Sequence, residues 1–576
     1  MFRFGGPVFR HRVMISAAVV AAAVGFVPVT AQAAPSPGAA SEAPTPTPAP
    51  APASVPAVKG PADGAAAAKE AAGKAAVREI AAKTAAAKAR ASASAGPAAR
   101  AQQSAYFDVS MGTSTSGALS AGLATGVSTD LTYGVVRYDI DWGDGVVDTE
   151  FNLVEELVYA DHTYARAGAH TITIKATGPG DETAVTTEEI VVEGSEFTPH
   201  APTRLLDTRD GTGTGTPGGR PVGANGTTRV KIVGSGSIPD GVTAVALNIT
   251  VTNAATAGHV IAYASGAKRP ETSNVNFVKG QSVPNLAIVP VGKDGYVELA
   301  NRSLGSVDLI ADVTGYFSRT AAGGYTSVEP TRLVDTRVGL GAPGVAAAAQ
   351  KTFGVQVAGA VGLPATGVTA VSLNVTVTNP AEAGHLTVFP GGGQAPSTSS
   401  VNFTAGQTVA NAVIVPVGPD GRISIRNGSW DRTDVIVDVT GYYGADGEAA
   451  YLPAEPERLH DTRTYGWPLP AMSYHEEIQW GANGLEALVV NTTVTNTKGA
   501  GHLTVAPDPN TKDDYLNGTV ERPTPPNTSV LNWTKDTTVA NLVQAGTGNN
   551  DIVDFWNRGW EPTDLIVDLF GTYSRK

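Results

Sequence analysis

A hexamer of the form R-L-x-D-T-R, present three times, contains the residues best suited to bind a ligand. The copies are 128 and 126 residues apart. An arginine fork can bind a carboxylate or a sugar hydroxyl, so one interpretation is a ligand site in each copy. The interpretation we favour is an internal Asp–Arg pair that fixes the first strand to its sheet. The residues are Arg204, Asp207 and Arg209; Arg332, Asp335 and Arg337; and Arg458, Asp461 and Arg463.

Tryptophan is concentrated around the third hexamer. That part of the chain has five tryptophans, whereas the parts around the first two hexamers share only Trp430. Sugar-binding surfaces need exposed aromatic rings, so Trp533, Trp556 and Trp560 are candidate ligand-binding residues. The alternative is a terminal copy that diverged to cap the array, and the sequence does not decide between the two.

Carboxylates also recur, in a D-[LV]-I-[AV]-D pattern at the end of each copy. Paired carboxylates such as Asp308 and Asp312 can serve glycoside hydrolysis, but these two share one strand face that we expect to be solvated.

Asn248, Thr250 and Thr252 also share one face of a strand. That face is either a flat platform for sugars or, as we prefer, an ordinary solvated surface.

Three histidines each follow a glycine at a turn: His259, His385 and His502. No second histidine recurs in the copies, so we expect a hydrogen bond from the ring to a backbone carbonyl rather than a metal site. The chain has no catalytic serine elbow, zinc-binding helix motif or phosphate loop. We therefore predict a protein that is not an enzyme and has no cofactor.

Bulk composition narrows the class further. The 576 residues include no cysteine and carry a net charge of −13. Disulfides and thiolate sites are therefore excluded, and we predict no nucleic-acid partner. A basic start, an apolar run and an A-x-A site predict a cleaved signal peptide at 1–33. A Pro/Ala/Lys-rich spacer, disordered or partly helical, should occupy 34–104. We expect a secreted protein with no membrane contact after cleavage.

Residues 105–194 change to short alternating strands separated by Gly and Asp turns. The strings YDIDWGDG and HTYARAGAHTITIKAT resemble those of the polycystic-kidney-disease-like (PKD) domain family, which implies an extracellular immunoglobulin-like sandwich. Three carboxylates near the turn, Asp139, Asp141 and Asp144, leave calcium as a minor alternative to a plain hairpin. The matching residues are Trp142, Gly143, Asp144, Gly145, His162, Tyr164 and Gly168, and His170 replaces the family's usual aromatic.

The rest of the chain is a threefold repeat, which we place at 199–319, 326–445 and 451–576. Each copy has about eight strand-like runs, and a period of about 126 residues is too long for a propeller blade or solenoid turn. We predict an all-β chain of tandem antiparallel β-sandwiches in a row, one immunoglobulin-like module and three homologous sandwich or jelly-roll-like repeats, each independent of the others. The copies resemble a repeat of secreted actinobacterial proteins.

Together these patterns predict a secreted, non-catalytic surface protein. Its expected partner is a cell-wall polysaccharide or another extracellular glycan or protein, bound weakly at several sites. A purely structural stalk, elongated and without ligand, is the main alternative. A hydrolase is the third, and it would need a cleft with converging acid and base groups.

Overall fold

The structure is a computed structural model that describes residues 106–575 except 117, 322, 343–345, 481 and 483. The predicted signal peptide (1–33) and most of the chain up to the first strand, including the spacer (34–104), lie outside the described residues. The described residues belong to one compact unit. Within them, no helix has the length and apolar character needed to cross a membrane.

The N-terminal module is a sandwich of two antiparallel sheets, ordered β1-β2-β5 and β4-β3-β6-β7. Alternation on β6 buries Ile172 and Ile174, as predicted. His170 stacks on the buried ring of Tyr164, with 3.8 Å between centroids, so it fills the place of the missing aromatic. The strands are β1 (Phe107–Ser116), β2 (Ser120–Thr129), β3 (Val135–Asp141), β4 (Val147–Leu153), β5 (Val158–Thr163), β6 (Gly168–Thr177) and β7 (Thr183–Val192).

Each repeat contributes eight described strands, the number predicted. The first repeat has β8 (Glu196–Asp207), β9 (Thr227–Lys231), β10 (Val242–Thr252), β11 (Gly258–Ala264), β12 (Val275–Phe277), β13 (Val283–Pro290), β14 (Tyr296–Asn301) and β15 (Asp308–Ser318). The second has β16 (Gly324–Asp335), β17 (Thr352–Gln356), β18 (Val368–Thr378), β19 (Gly384–Pro390), β20 (Val401–Phe403), β21 (Val409–Pro416), β22 (Arg422–Asn427) and β23 (Asp434–Gly444). The third has β24 (Ala449–Asp461), α1 (Thr462–Tyr465), β25 (Tyr474–Ile478), β26 (Leu485–Thr495), β27 (Gly501–Pro507), α2 (Lys512–Asn517), β28 (Leu531–Trp533), β29 (Val539–Gly546), β30 (Ile552–Asn557) and β31 (Asp564–Arg575).

The strand order of each repeat is that of a jelly roll. Counted from one to eight within a repeat, the inner sheet reads 1-8-3-6 and the outer sheet 2-7-4-5. On β10, Leu247, Ile249 and Val251 point into the core between the two sheets. The opposite face of the same strand is also buried, which means that the inner sheet is covered on both sides.

What covers the second face is a core shared by all three repeats. Six aromatic rings, two from the inner sheet of each repeat, pack against one another at its centre, and Phe570 is a seventh aromatic side chain of this core. Gly441 lies opposite Tyr325, and a Cβ there would overlap the phenol ring. Gln544 donates to the hydroxyls of Tyr443 and Tyr573, at 2.5 and 2.7 Å, which satisfies polar groups in this buried site. The six rings are Phe197, Phe317, Tyr325, Tyr443, Tyr451 and Tyr573.

Around this core the three repeats close into a ring. The first strand of each repeat bonds through its backbone to the start of the next: Phe197 to Gly323, Tyr325 to Ala449, and Tyr451 to Ser195. This set of contacts is cyclic, so the repeats are related by an approximate threefold axis. The prediction of an all-β chain of tandem antiparallel β-sandwiches is confirmed. The expectation that each sandwich is independent of the others is wrong, and so is the elongated rod of the structural alternative. The physical reason is the second apolar surface of each inner sheet, which no single repeat can bury.

The N-terminal module packs on the third repeat. Ala450 of β24 belongs to the buried core of that module, and Leu452 packs against it. Ser195 and Tyr451 exchange backbone hydrogen bonds of 2.8 Å. The module is therefore joined to the ring through the strand that closes it.

Candidate functional site

The R-L-x-D-T-R hexamers end the first strand of each repeat, and their charges pair inside the repeat. Buried Asp207 accepts hydrogen bonds from Arg209 (Nε–Oδ1, 2.9 Å) and Arg204 (Nη1–Oδ2, 3.1 Å). Arg204 also donates through Nε to Asp312 on β15, at 2.9 Å. Burial raises the pKa of Asp207, but the hydrogen bonds and charge of Arg209 outweigh it and leave the pKa below its usual value. The favoured interpretation, an internal ion pair, agrees with this geometry.

The other two copies repeat the arrangement. The terminal carboxylates Asp308, Asp312, Asp438, Asp564 and Asp568 are buried and Asp434 is half-buried, so the prediction of a solvated acidic face is wrong. The strand next to them and the neighbouring repeat cover that face. The corresponding contacts are Arg332 to Asp438 (2.9 Å), Arg337 to Asp335 (2.9 Å), Arg458 to Asp568 (2.8 Å) and Arg463 to Asp461 (2.8 Å).

These ion pairs are also part of the joints between repeats. Asp312 accepts from the backbone N–H of Ser399 in the second repeat. Asp438 accepts from Ser529 in the third, at 3.3 Å, and Asp568 accepts from Ser273 in the first. The arginine–aspartate pairs therefore bind protein backbone, and a free ligand could not reach the carboxylates.

Asparagines complete each joint. The Asn248 amide donates to the Ser399 carbonyl (2.6 Å), and Asn411 donates to the Asn248 carbonyl oxygen (2.9 Å). The proposed polar platform of Asn248, Thr250 and Thr252 is therefore wrong, and so is a solvated face, because these side chains are buried between repeats or beside the joint. The equivalent amide contacts are Asn374 to Ser529, Asn541 to Asn374, Asn491 to Ser273 and Asn285 to Asn491.

The three turn histidines lie beside the joints. Burial lowers the pKa of His259, and the positive charges of Arg302 and of Arg458 from the third repeat lower it further. Burial, together with the positive charges of Arg558 and of Arg332 from the second repeat, lowers the pKa of His502 to about 4. In the part of the chain that the structure describes, no group of three histidine, cysteine or acidic side chains is arranged to bind a metal.

Two of the three candidate tryptophans are not accessible. Trp533 belongs to the core of the third repeat. Trp556 is buried on the outer sheet, where it stacks on Tyr474 with 4.3 Å between centroids. Neither has a ring face open to a sugar, so the prediction is wrong for both, whereas Trp560 is 81% exposed.

Trp560 lies on the turn between β30 and β31, the last two strands of the third repeat. The first two repeats have an equivalent turn between their own last two strands. We call residues 302–307, 428–433 and 558–563 the apical turns. A fully buried asparagine precedes each turn and donates its amide across it: Asn557 bonds the carbonyls of Glu561 and Pro470, both at 3.0 Å. The equivalent contacts are Asn301 to Gly305 (2.8 Å) and Gly223 (2.9 Å), and Asn427 to Asp431 (2.9 Å) and Ala347 (3.0 Å).

Each apical turn presents one large apolar side chain to solvent at the same position. Leu304 is 85% exposed, Trp430 80% and Trp560 81%. The buried asparagine fixes the turn, so the exposed ring starts from a rigid backbone. Sequence analysis named Trp560 but not the other two. Aligning the copies on the asparagine that comes three residues earlier would have found them.

The third repeat also differs on its outer sheet, where residues 508–526, which include α2, form an insertion relative to the other two copies. Tyr515 of α2 donates to Asp508 at 2.5 Å. Burial and the adjacent Asp508 raise the pKa of Asp554 to about 9, so this carboxyl is protonated at neutral pH. The insertion covers Trp556 and this acidic pair.

The WGDG turn of the N-terminal module does not gather a calcium site. Asp139 accepts from the Thr149 hydroxyl at 2.8 Å, and Asp144 pairs with His162 at 2.8 Å. Asp141 accepts from a backbone N–H of the turn itself. Each of the three carboxylates therefore has its own hydrogen-bond partner within the module, which is the arrangement of an ordinary hairpin turn.

No known protein-family model matches this chain, and no curated protein is significantly similar to it. Several solved structures are similar to this chain, among them the following three. A carbohydrate-binding module of the β-sandwich superfamily is 12% identical, over 38% of this chain and 98% of that chain, with a TM-score of 0.16. A structure of Sulfolobus turreted icosahedral virus is 9% identical, over 66% of this chain and 91% of that chain, with a TM-score of 0.14. A tetra-tandem repeat from the extending region of a large adhesion protein is 13% identical, over 81% of this chain and 98% of that chain, with a TM-score of 0.14. Scores this low carry no conclusion about a ligand.

Proposed function

We propose that this chain is a secreted, non-catalytic surface protein that binds a cell-wall or other extracellular glycan through its apical turns. The observation that supports this most directly is the pair of exposed tryptophans, Trp430 and Trp560, at the same rigid position of two repeats. The negative face of an aromatic ring attracts the partially positive C–H groups of a sugar.

Binding at each turn is expected to be weak because one ring contacts one sugar face. The two indole side chains belong to one closed assembly of repeats. Once one of them has bound the polymer, the second contact forms within the same complex, which raises the overall affinity. The joints between repeats support this function by keeping the turns at fixed separations. The resemblance of the N-terminal module to PKD domains favours an extracellular spacer at this end of the ring.

The test is retention of the chain without its predicted signal peptide on insoluble peptidoglycan, chitin and cellulose. We expect binding to at least one polymer, and a loss of about tenfold or more in the double variant Trp430→Ala/Trp560→Ala. Tyr159→Ala is the matched control, because this aromatic side chain is also exposed but lies on the N-terminal module. Equal retention of the wild type, the double variant and the control would contradict the proposal.

A further inference from the structure

The apical turns are three copies of one site, but their tips differ in chemistry. Two carry an indole ring, and the first carries Leu304 at the corresponding position. The buried asparagine and its contacts are the same in all three turns. Leucine has no flat face, so the first turn has the scaffold of the site without the group that would stack on a sugar.

The charges beside the two tryptophans indicate which polymers they suit. Asp431 and Arg432 follow Trp430, and Arg558 and Glu561 flank Trp560. Each of these two tryptophan turns thus carries one positive and one negative side chain. Recognition of a phosphate or carboxylate polymer relies on clustered lysine and arginine, and the whole chain has a net charge of −13. A polyanion would be repelled.

We propose that the apical turns bind a neutral polysaccharide and that two of the three equivalent sites are functional, the turn of Leu304 being a vacant third. This rests on the proposed function and specifies its ligand class and number of sites. The flanking charged groups supply hydrogen bonds to sugar hydroxyls, and the indole ring stacks on the face of the pyranose.

Leu304→Trp in the full chain tests the proposal by adding the missing ring. We expect retention on the neutral polymer that the wild type binds to rise by about tenfold. Val185→Trp is the matched control, because it adds an exposed tryptophan to the N-terminal module. Retention should also change little between about 50 and 500 mM sodium chloride, since the contact is not ionic.

The outcomes separate this inference from the function on which it rests. If Trp430→Ala/Trp560→Ala weakens binding but Leu304→Trp does not strengthen it, the vacant-site inference fails and the glycan function stands. Stronger binding to teichoic acid than to neutral polymers, lost at high salt, would overturn the ligand class. If the double variant binds as well as the wild type, the proposed function itself fails.

Discussion

The joints between repeats and the apical turns both occur three times, but only the joints use the same side chains every time. Each joint pairs an arginine with a buried aspartate and links two asparagines across the boundary. Each apical turn keeps its buried asparagine and varies the residue at its tip. A buried polar group that loses its partner costs stability, so substitutions in the joint are costly. The tips are 80% or more exposed and can vary at little cost. Within this protein, identity among the repeats marks assembly, and variation marks the surface that we propose for binding.

The largest test of this comparison removes one joint carboxylate. Asp438→Ala removes the acceptor of the Arg332 Nε–H group, leaving Arg332 only its longer contact with Asp335 (3.5 Å), and it leaves the Ser529 N–H without an acceptor. We therefore expect the free energy of unfolding to fall by about 3 kcal/mol. The measurement is urea denaturation of the full chain. Asp294→Ala is the control, because its pair with Arg229 is exposed and should contribute nothing measurable. Equal midpoints for the two variants would show that the joint does not stabilise the ring.

A second test crowds the shared aromatic core. The added methyl group of Gly441→Ala would overlap the ring of Tyr325, and overpacking of this kind costs about 2 kcal/mol. Gly223→Ala serves as the comparison, since a Cβ there meets no atom within 4 Å. Differential scanning calorimetry of the two variants should give a lower midpoint for Gly441→Ala alone. If the repeats did not share this aromatic core, the two variants would have the same midpoint.

The smallest expected effect is a pH dependence at the joints. His502 has a pKa of about 4 in the folded chain, below the usual value near 6.5, so the unfolded chain binds more protons between these pH values. Stability should therefore fall as the pH drops from about 6.5 to 4. His502→Gln should reduce the slope of unfolding free energy against pH in that window. Superimposable pH profiles of the variant and wild type would contradict the proximity of this ring to Arg332 and Arg558.

Local patterns in the sequence predicted much of each repeat. Period-two alternation and Gly, Asp and Asn turns specify strands through neighbours in the chain, and eight strands per repeat with a jelly-roll order agree with that reading. The pairing inside R-L-x-D-T-R was also predictable, because Asp207 and Arg209 are two residues apart. The candidate site was predicted only in part, through Trp560.

The sequence by itself determined the strands, the repeats and the internal ion pairs, since all of these depend on residues close in the chain or on exact repetition. Only the tertiary structure decided that Asn248 and Asp312 face a neighbouring repeat, because an alternating polar face has the same pattern whether water or protein covers it. It also decided that Trp533 is core and Trp560 is surface. Burial of an aromatic ring depends on which sheet face or turn carries it, and contacts between distant segments fix that choice.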